Sequence, residues 1–102
     1  MKLCEIAHSR AGDKGNISCL SLIAYSAKDY PLILEQVTAE RVREWFAGVV
    51  FGQVERYELP QLNALNFVLH DALGGGVTRS LNIDMHGKTL SSALLAMEIN
   101  GE

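Results

Sequence analysis

The alternation of apolar and polar positions along the first 24 residues predicts two strands joined by a polar loop. The runs Leu3 to Ala7 and Ile17 to Ala24 are apolar enough to be strands. Between them lie nine mostly polar residues, His8 to Asn16, which include Gly12 and Gly15. We interpret this segment as a loop because glycines within a polar stretch are typical of a turn.

The next segment carries the signals of two short helices. Asp29 can cap the first helix, Pro31 falls in its opening turn, and we expect it to end near Gln36. Thr38 can cap the second helix, and Gly48 is suited to end it. Apolar residues recur at helical spacing in this second helix at Val42, Trp45, Phe46 and Val49. We therefore expect this set, including the tryptophan, to lie in the core.

The pattern from residue 49 to residue 73 is less regular. Val49 to Leu59 is predicted to be an extended central or edge strand that Pro60 ends. Leu62 to Leu73 fits both a helix and a strand. Asn66 and His70 are four positions apart, so either structure places them on the same face.

The last third of the chain predicts one more strand and a mixed tail. Val77 to Asp84 alternates like a half-buried antiparallel strand that ends in a turn at His86 and Gly87. Leu90 to Ile99 predicts a short helix followed by a terminal strand. Strands and helices in this order, without long crossovers, predict an α+β sandwich with helices on one face of an antiparallel sheet.

Length, charge and cysteine content exclude several classes of protein. The chain has 102 residues and a net charge of −3, so we expect one domain over residues 1–102 and no binding to nucleic acid. No apolar run approaches the roughly 20 residues of a membrane helix, and the first residues have no signal core, so we expect a cytoplasmic protein. Cys4 and Cys19 lie in apolar context, which predicts buried free thiols.

The polar segment from His8 to Asn16 is the first candidate site. Glycines there allow successive N–H groups to point into one concavity, where an anion can bind. Asp13 is a candidate acid or base beside that anion. The candidate binding residues are Arg10, Gly12, Lys14, Gly15 and Asn16. An ordinary charged turn explains the same residues equally well.

A second polar constellation runs from His70 to Ser80. Its three successive glycines suggest a sharp turn or a close approach to an oxyanion, and a flexible hairpin connection is the alternative. Arg79 falls on an apolar strand face, where a guanidinium needs a carboxylate or a bound anion. His70 is a candidate catalytic acid or base, or else a hydrogen-bonded structural residue. The candidate binding residues here are Asn66, Gly74, Gly75, Gly76, Thr78 and Arg79.

Neither a metal nor a cofactor is predicted. His8, His70 and His86 have no i, i+4 spacing, and no cysteine stands near them in the pattern of a metal site. No serine lies in a nucleophile elbow.

Several segments carry a resemblance to a known family. They are Ser9 to Asn16, Thr38 to Val42, Val54 to Pro60, Leu65 to His70, Ala72 to Gly76 and Thr78 to Ser80. Over nearly its whole length the chain resembles the small C-terminal domain of the acyclic terpene utilisation protein AtuA, as a stand-alone protein. The resemblance implies a ferredoxin-like fold, in agreement with the predicted sandwich. It carries over no catalytic residue, because no reaction is established for that domain.

The resemblance also implies a setting for the chain. The family is named for a pathway that degrades branched acyclic terpenoids through coenzyme A esters, and in its larger members the small domain follows a much larger one. We therefore expect an accessory domain that pairs with a larger AtuA-like chain. In this hypothesis the segments 8–16 and 70–80 form one surface for an acyl-CoA or another anion.

Two other hypotheses remain open. One is a small enzyme acting on an acyl-CoA or organic acid, in which Lys14 and Arg79 hold the anion and Asn66 orients the carbonyl. A proton is then exchanged by Asp13 or His70. The other is a structural homo-oligomer that pairs through the edge of the Val49 to Leu59 strand.

Overall fold

A four-stranded antiparallel sheet is the framework of the chain in the computed structural model, which describes residues 1–14, 17–72 and 87–100. The strands are β1 (Ala7–Lys14), β2 (Ile17–Ala24), β3 (Val54–Leu59) and β4 (Ala64–Leu69). They lie in the order β1-β2-β4-β3, and each neighbouring pair is antiparallel.

Three α-helices accompany the sheet in the described part of the chain. They are α1 (Tyr30–Gln36), α2 (Ala39–Trp45) and α3 (Gly87–Leu95), with short 3-10 turns at Leu3–Glu5, Ala27–Asp29 and Pro60–Leu62. None of the described helices is long and apolar enough to span a membrane.

The core lies between the helices and one face of the sheet. Leu20 and Leu22 of β2 stand opposite Phe67 and Leu65 of β4, and all four are fully buried. Residues from all three helices join the same cluster, namely Ile33, Val42, Leu90 and Leu94, together with Val37 directly after α1. Each such side chain contributes about 1.5–3 kcal/mol on burial. The arrangement confirms the predicted α+β sandwich with helices on one face of an antiparallel sheet.

The predicted place of Pro31 in α1 and the Thr38 cap of α2 are confirmed, but the placement of the tryptophan is wrong. Pro31 lies in the opening turn of α1, and the Thr38 hydroxyl accepts a hydrogen bond from the backbone N–H of Arg41 at 3.1 Å. Trp45 is 39% exposed, and its indole N–H donates to the Ala93 carbonyl at 2.8 Å. The other members of the predicted set, Val42, Phe46 and Val49, are fully buried as expected, and Trp45, the last residue of α2, lies at the exposed edge of this apolar stripe.

Gly48 and Asp29 also differ from the predicted caps. Gly48 has φ of 91°, yet it belongs to the turn beyond α2, whose C-cap is Phe46. Asp29 occupies the N-cap position of α1 without a capping hydrogen bond from its side chain.

The structure corrects the start of the chain. Leu3–Glu5 is a 3-10 turn, and the first strand is Ala7–Lys14, so most of the segment predicted as a loop from His8 to Asn16 is strand. The prediction failed because polar residues alternate with small residues in β1, and pairing with β2 along all eight residues decides the structure.

Both cysteines are exposed, so their predicted burial is wrong. Cys4 falls in the 3-10 turn, and Cys19 is on the β2 side that alternates away from the core.

The other predicted strands and helices can be compared with the structure only over the described residues. The ambiguous segment 62–73 contains the strand β4, and the extended segment 49–59 becomes a strand only from Val54. The predicted strand Val77 to Asp84 and the turn at His86 lie outside the described residues, and Gly87 starts α3. In place of a terminal strand, the tail forms one isolated antiparallel bridge between Lys2 and Glu98.

Candidate functional site on the open sheet face

Strand alternation creates a second sheet face, opposite the buried core, which we call the open face. Directly paired residues of antiparallel strands lie on the same face, so the register assigns each side chain to one face or the other. Among the described side chains, the open face is formed by His8, Arg10, Gly12, Ile17, Cys19, Ser21, Ile23, Glu55, Tyr57, Leu59, Ala64, Asn66 and Val68.

One row across the open face is polar from edge to edge. Arg10 pairs with Ser21, Ser21 with Asn66, and Asn66 with Tyr57. Four strands at about 4.8 Å spacing make this row about 14 Å long. The Ser21 hydroxyl donates to the Asn66 side-chain oxygen at 3.3 Å, and Arg10 is exposed with no acidic partner among the described side chains. An anion can therefore be bound at the end of this row by the Arg10 guanidinium, with the Ser21 hydroxyl on the neighbouring strand.

A histidine, a carboxylate and a tyrosine form a connected cluster beside this row. His70 Nε2 lies 2.9 Å from Glu55 Oε2, and the Tyr57 hydroxyl donates to Glu55 Oε1. The hydrogen bond from Tyr57, followed by the one from His70, lowers the pKa of Glu55, and the carboxylate in turn raises the pKa of Tyr57. Glu55 is therefore a charged acceptor at neutral pH, with a partner on each oxygen.

Backbone hydrogen bonds fix His70 at the end of β4. Its N–H donates to the Gln53 carbonyl at 2.9 Å, and its own carbonyl accepts from the Gly52 N–H at 3.0 Å. A Cβ atom on Gly52 would lie 2.7 Å from the His70 carbonyl oxygen, so only glycine fits without a shift. Asp71 then turns the chain with φ of 56°. The segment before β3 thus extends the pairing with β4 and positions the imidazole.

Residues 8–14 are strand and not the predicted loop, and anion binding by the residues of this segment stays a prediction. A nest needs successive N–H groups that point into one concavity, whereas successive N–H groups of a strand point to opposite sides. Arg10 and Gly12 lie on the open face, and Asn66 shares the row of Arg10. His70 comes four residues after Asn66 and is half-buried like it, in agreement with the predicted shared face.

The register also brings the end of β1 and the end of β4, from which the second polar segment starts, to one end of the sheet. Asp13 pairs with Ser18, which pairs with Leu69, and Lys14 pairs with Ile17. The Asp13 and Leu69 backbones are therefore two strands, or about 10 Å, apart. The remaining candidates lie outside the described residues: Gly15, Asn16, Gly74, Gly75, Gly76, Thr78 and Arg79.

Sequence reasoning missed Glu55, Tyr57 and Gly52. Glu55 and Tyr57 stand two positions apart in a predicted strand, which places them on one face, but the contact of Glu55 with His70 depends on the pairing of β3 and β4. Over residues 1–14, 17–72 and 87–100, no three side chains of the types that bind metals come together in a group that could hold an ion.

Comparison with known proteins places the chain in a family. The family described as the AtuA ferredoxin-like domain matches residues 1–100. No curated protein and no solved structure matches the chain. The match spans almost the whole sequence, and the antiparallel sheet with helices on one face is the fold that the family's description implies. The chain belongs to the AtuA ferredoxin-like domain family.

Proposed function

We propose that this chain is an accessory domain that binds a larger AtuA-like protein through its open face. The observation that carries the proposal is the exposure of large apolar side chains on and beside that face: Ile17 is 37%, Leu59 39% and Tyr57 49% exposed. A sheet face that meets only water is normally polar, and neighbouring exposed apolar side chains such as Tyr57 and Leu59, two positions apart on β3, mark an interaction surface.

Family membership supports the choice of partner. The larger relatives implied by the resemblance carry this domain after a much larger one, so a larger AtuA-like chain offers a surface of the required kind. The polar row gives the interface directional groups, because Arg10, Ser21 and Asn66 can hydrogen-bond to acceptors on the partner.

The same row supports a role in handling an anionic ligand, such as the acyl-CoA esters of branched terpenoid breakdown. A guanidinium binds phosphate and carboxylate in a two-pronged geometry, and Arg10 has no acidic partner among the described residues. We therefore assign the anion-binding role to the row that begins at Arg10, where it replaces the loop predicted from the sequence.

A binding experiment tests the proposal. The chain and a separately produced larger AtuA-like protein are mixed at micromolar concentration and separated by size-exclusion chromatography. We expect a complex with the wild type, its loss with Leu59→Glu, and its retention with Phe51→Glu. Phe51 is 56% exposed and lies beside α2, so this control adds the same charge away from the open face. Absence of a complex with the wild type overturns the proposal.

A further inference from the structure

We infer that His70 is a general base that acts through Nδ1 on the hydroxyl group of a ligand bound on the open face. The inference rests on the proposed function only for the location of the ligand. The chemistry of the imidazole follows from its own contacts.

The first step is the position of the proton on the ring. A carboxylate can only accept hydrogen bonds, so the nitrogen 2.9 Å from Glu55, which is Nε2, carries the proton. In the neutral ring the other nitrogen, Nδ1, then has a lone pair. No described residue hydrogen-bonds to Nδ1, and the His70 side chain is half-buried at the open face. The lone pair is therefore available to a ligand.

The second step is the support of the ring. Glu55 is a positioning residue: it holds Nε2–H and stabilises the positive charge that develops when Nδ1 takes a proton. Tyr57 holds the other carboxylate oxygen, so Glu55 is restrained on both sides. Gln53 and Gly52, which directly precede β3, fix the backbone of His70 by hydrogen bonds. The arrangement is the histidine with an orienting acid that proton-transfer sites use.

Other titratable groups near the ring are few in the described part of the chain. Glu55 and Tyr57 approach from β3, and Asp71 follows His70 along the chain. From β2, the exposed Cys19 pairs with Val68 and so lies diagonally across from His70.

The third step is the class of ligand. Val68 is half-buried, and Ile17 is exposed at the register position beside the end of β4. The apolar part of a ligand can pack against these two side chains, while Nδ1 can accept a hydrogen bond from the ligand's hydroxyl group. In the transfer the ligand's O–H bond breaks, an Nδ1–H bond forms, and the electron pair stays on the ligand oxygen. The imidazolium that results is paired with the Glu55 carboxylate.

Chemical modification of the isolated chain tests whether Nδ1 of His70 is an accessible, unprotonated nitrogen. The probe is diethyl pyrocarbonate: an imidazole nitrogen forms a bond to its carbonyl carbon, and ethyl carbonate leaves and breaks down to ethanol and carbon dioxide. We expect His70 to be labelled at Nδ1, severalfold faster than His8, whose ring stacks on Tyr25 with 5.3 Å between centroids. Labelling at Nε2, or at a rate equal to that of His8, overturns the inference.

Substitutions of Glu55 and Glu58 test whether the Glu55 carboxylate supports the reactivity of His70. Glu55→Gln is expected to slow labelling of His70 severalfold and to leave His8 unchanged. Glu58→Gln is the matched control, because Glu58 is on the same strand but pairs with Arg56 at 3.2 Å on the other face. Equal labelling of His70 in all three proteins contradicts the role of Glu55.

Two measurements on the wild type do not depend on a variant folding. Nitrogen-15 NMR at pH 8 should show that Nδ1 of His70 is unprotonated and that Nε2 carries the proton. The opposite tautomer overturns the inference. Hexanol serves as the ligand probe and should shift the amide signals of Ile17, Val68 and His70. Shifts confined to Leu59 and Leu62 refute the ligand site, and because no partner is present, these results stand apart from the docking experiment.

Discussion

Glu55 connects the candidate site to the stability of the fold. Hydrogen bonds from Tyr57 and His70 hold its pKa below the ordinary value near 4.5. A depressed carboxylate pKa contributes stability that is present above the unfolded value and is lost as pH falls through the folded one. The ionised Glu55 carboxylate, with its two hydrogen bonds, therefore stabilises the domain at neutral pH, and this stabilisation is lost in acid.

The variant Glu55→Gln is expected to unfold more easily than the wild type at pH 7, and the difference should disappear as pH falls below about 4.5. Urea unfolding at pH 7 and pH 3 measures it. Glu35→Gln is the control, because Glu35 is exposed on α1 and should change stability at neither pH. A difference that persists unchanged at pH 3 contradicts the assignment.

Gly52 allows the close contact that positions His70. In Gly52→Ala the new Cβ atom would meet the His70 carbonyl oxygen at 2.7 Å, so the backbone must shift. We expect a loss of about 1–3 kcal/mol in unfolding free energy and altered amide signals at His70. Gly12→Ala is the matched control on an edge of the described sheet, where a Cβ atom meets nothing within 4 Å. Equal stability of both variants disproves the role of Gly52.

Replacement by phenylalanine is expected to have opposite effects on stability at Tyr30 and at Tyr57. The Tyr30 hydroxyl is buried and has no partner among the described residues, and burial raises its pKa. Tyr30→Phe removes an unpaired polar group, so we expect no loss of stability or a gain of up to about 1 kcal/mol. Tyr57→Phe removes a donor to Glu55 and should lower stability. Thermal unfolding of both variants measures the two changes in stability. A larger loss of stability in Tyr30→Phe than in Tyr57→Phe would contradict both expectations.

At the scale of elements, Arg56 ties β3 to the end of α1. Its Nη1 donates to the Leu34 carbonyl at 2.7 Å and to the Val37 carbonyl at 3.0 Å, which are acceptors left over at a helix C-terminus. Arg56→Gln should cost about 1–3 kcal/mol because those part-buried carbonyls lose a charged donor. Arg43→Gln on the exposed side of α2 should be near neutral. Equal urea midpoints for the two variants rule out this link.

The sequence predicts the elements whose signals are local. Pro31 and Thr38 mark the starts of α1 and α2 because a missing N–H and a capping hydroxyl act within one turn. The strand β1 was not predictable in this way. Its open-face residues, such as Arg10 and Gly12, resemble a loop, and only pairing with β2 reveals the strand.

The same distinction applies to the site. The shared face of Asn66 and His70 could be predicted because a spacing of four fits both a helix and a strand. The contact between Glu55 and His70 could not, since it depends on the register of β3 against β4 and on the close approach at Gly52. Side chains that meet through tertiary pairing leave no fixed spacing in a sequence.

At the scale of the whole molecule, the sheet order leaves two strands at the edges of the described sheet. They are β1 and β3, while β2 and β4 are central. The pairing of two copies through the segment Val49 to Leu59 stays a prediction, and the edge position of β3 is compatible with it. Light scattering of the chain alone distinguishes a monomer from such a dimer.

The central claim is that the open face is the working surface of this domain. The most direct measurement is a cross-saturation NMR experiment on the isotope-labelled chain bound to a larger AtuA-like protein. The account predicts that signals of Arg10, Ser21, Asn66 and Tyr57 lose intensity while those of α2 do not. A footprint on α2, with the open face unaffected, would contradict it.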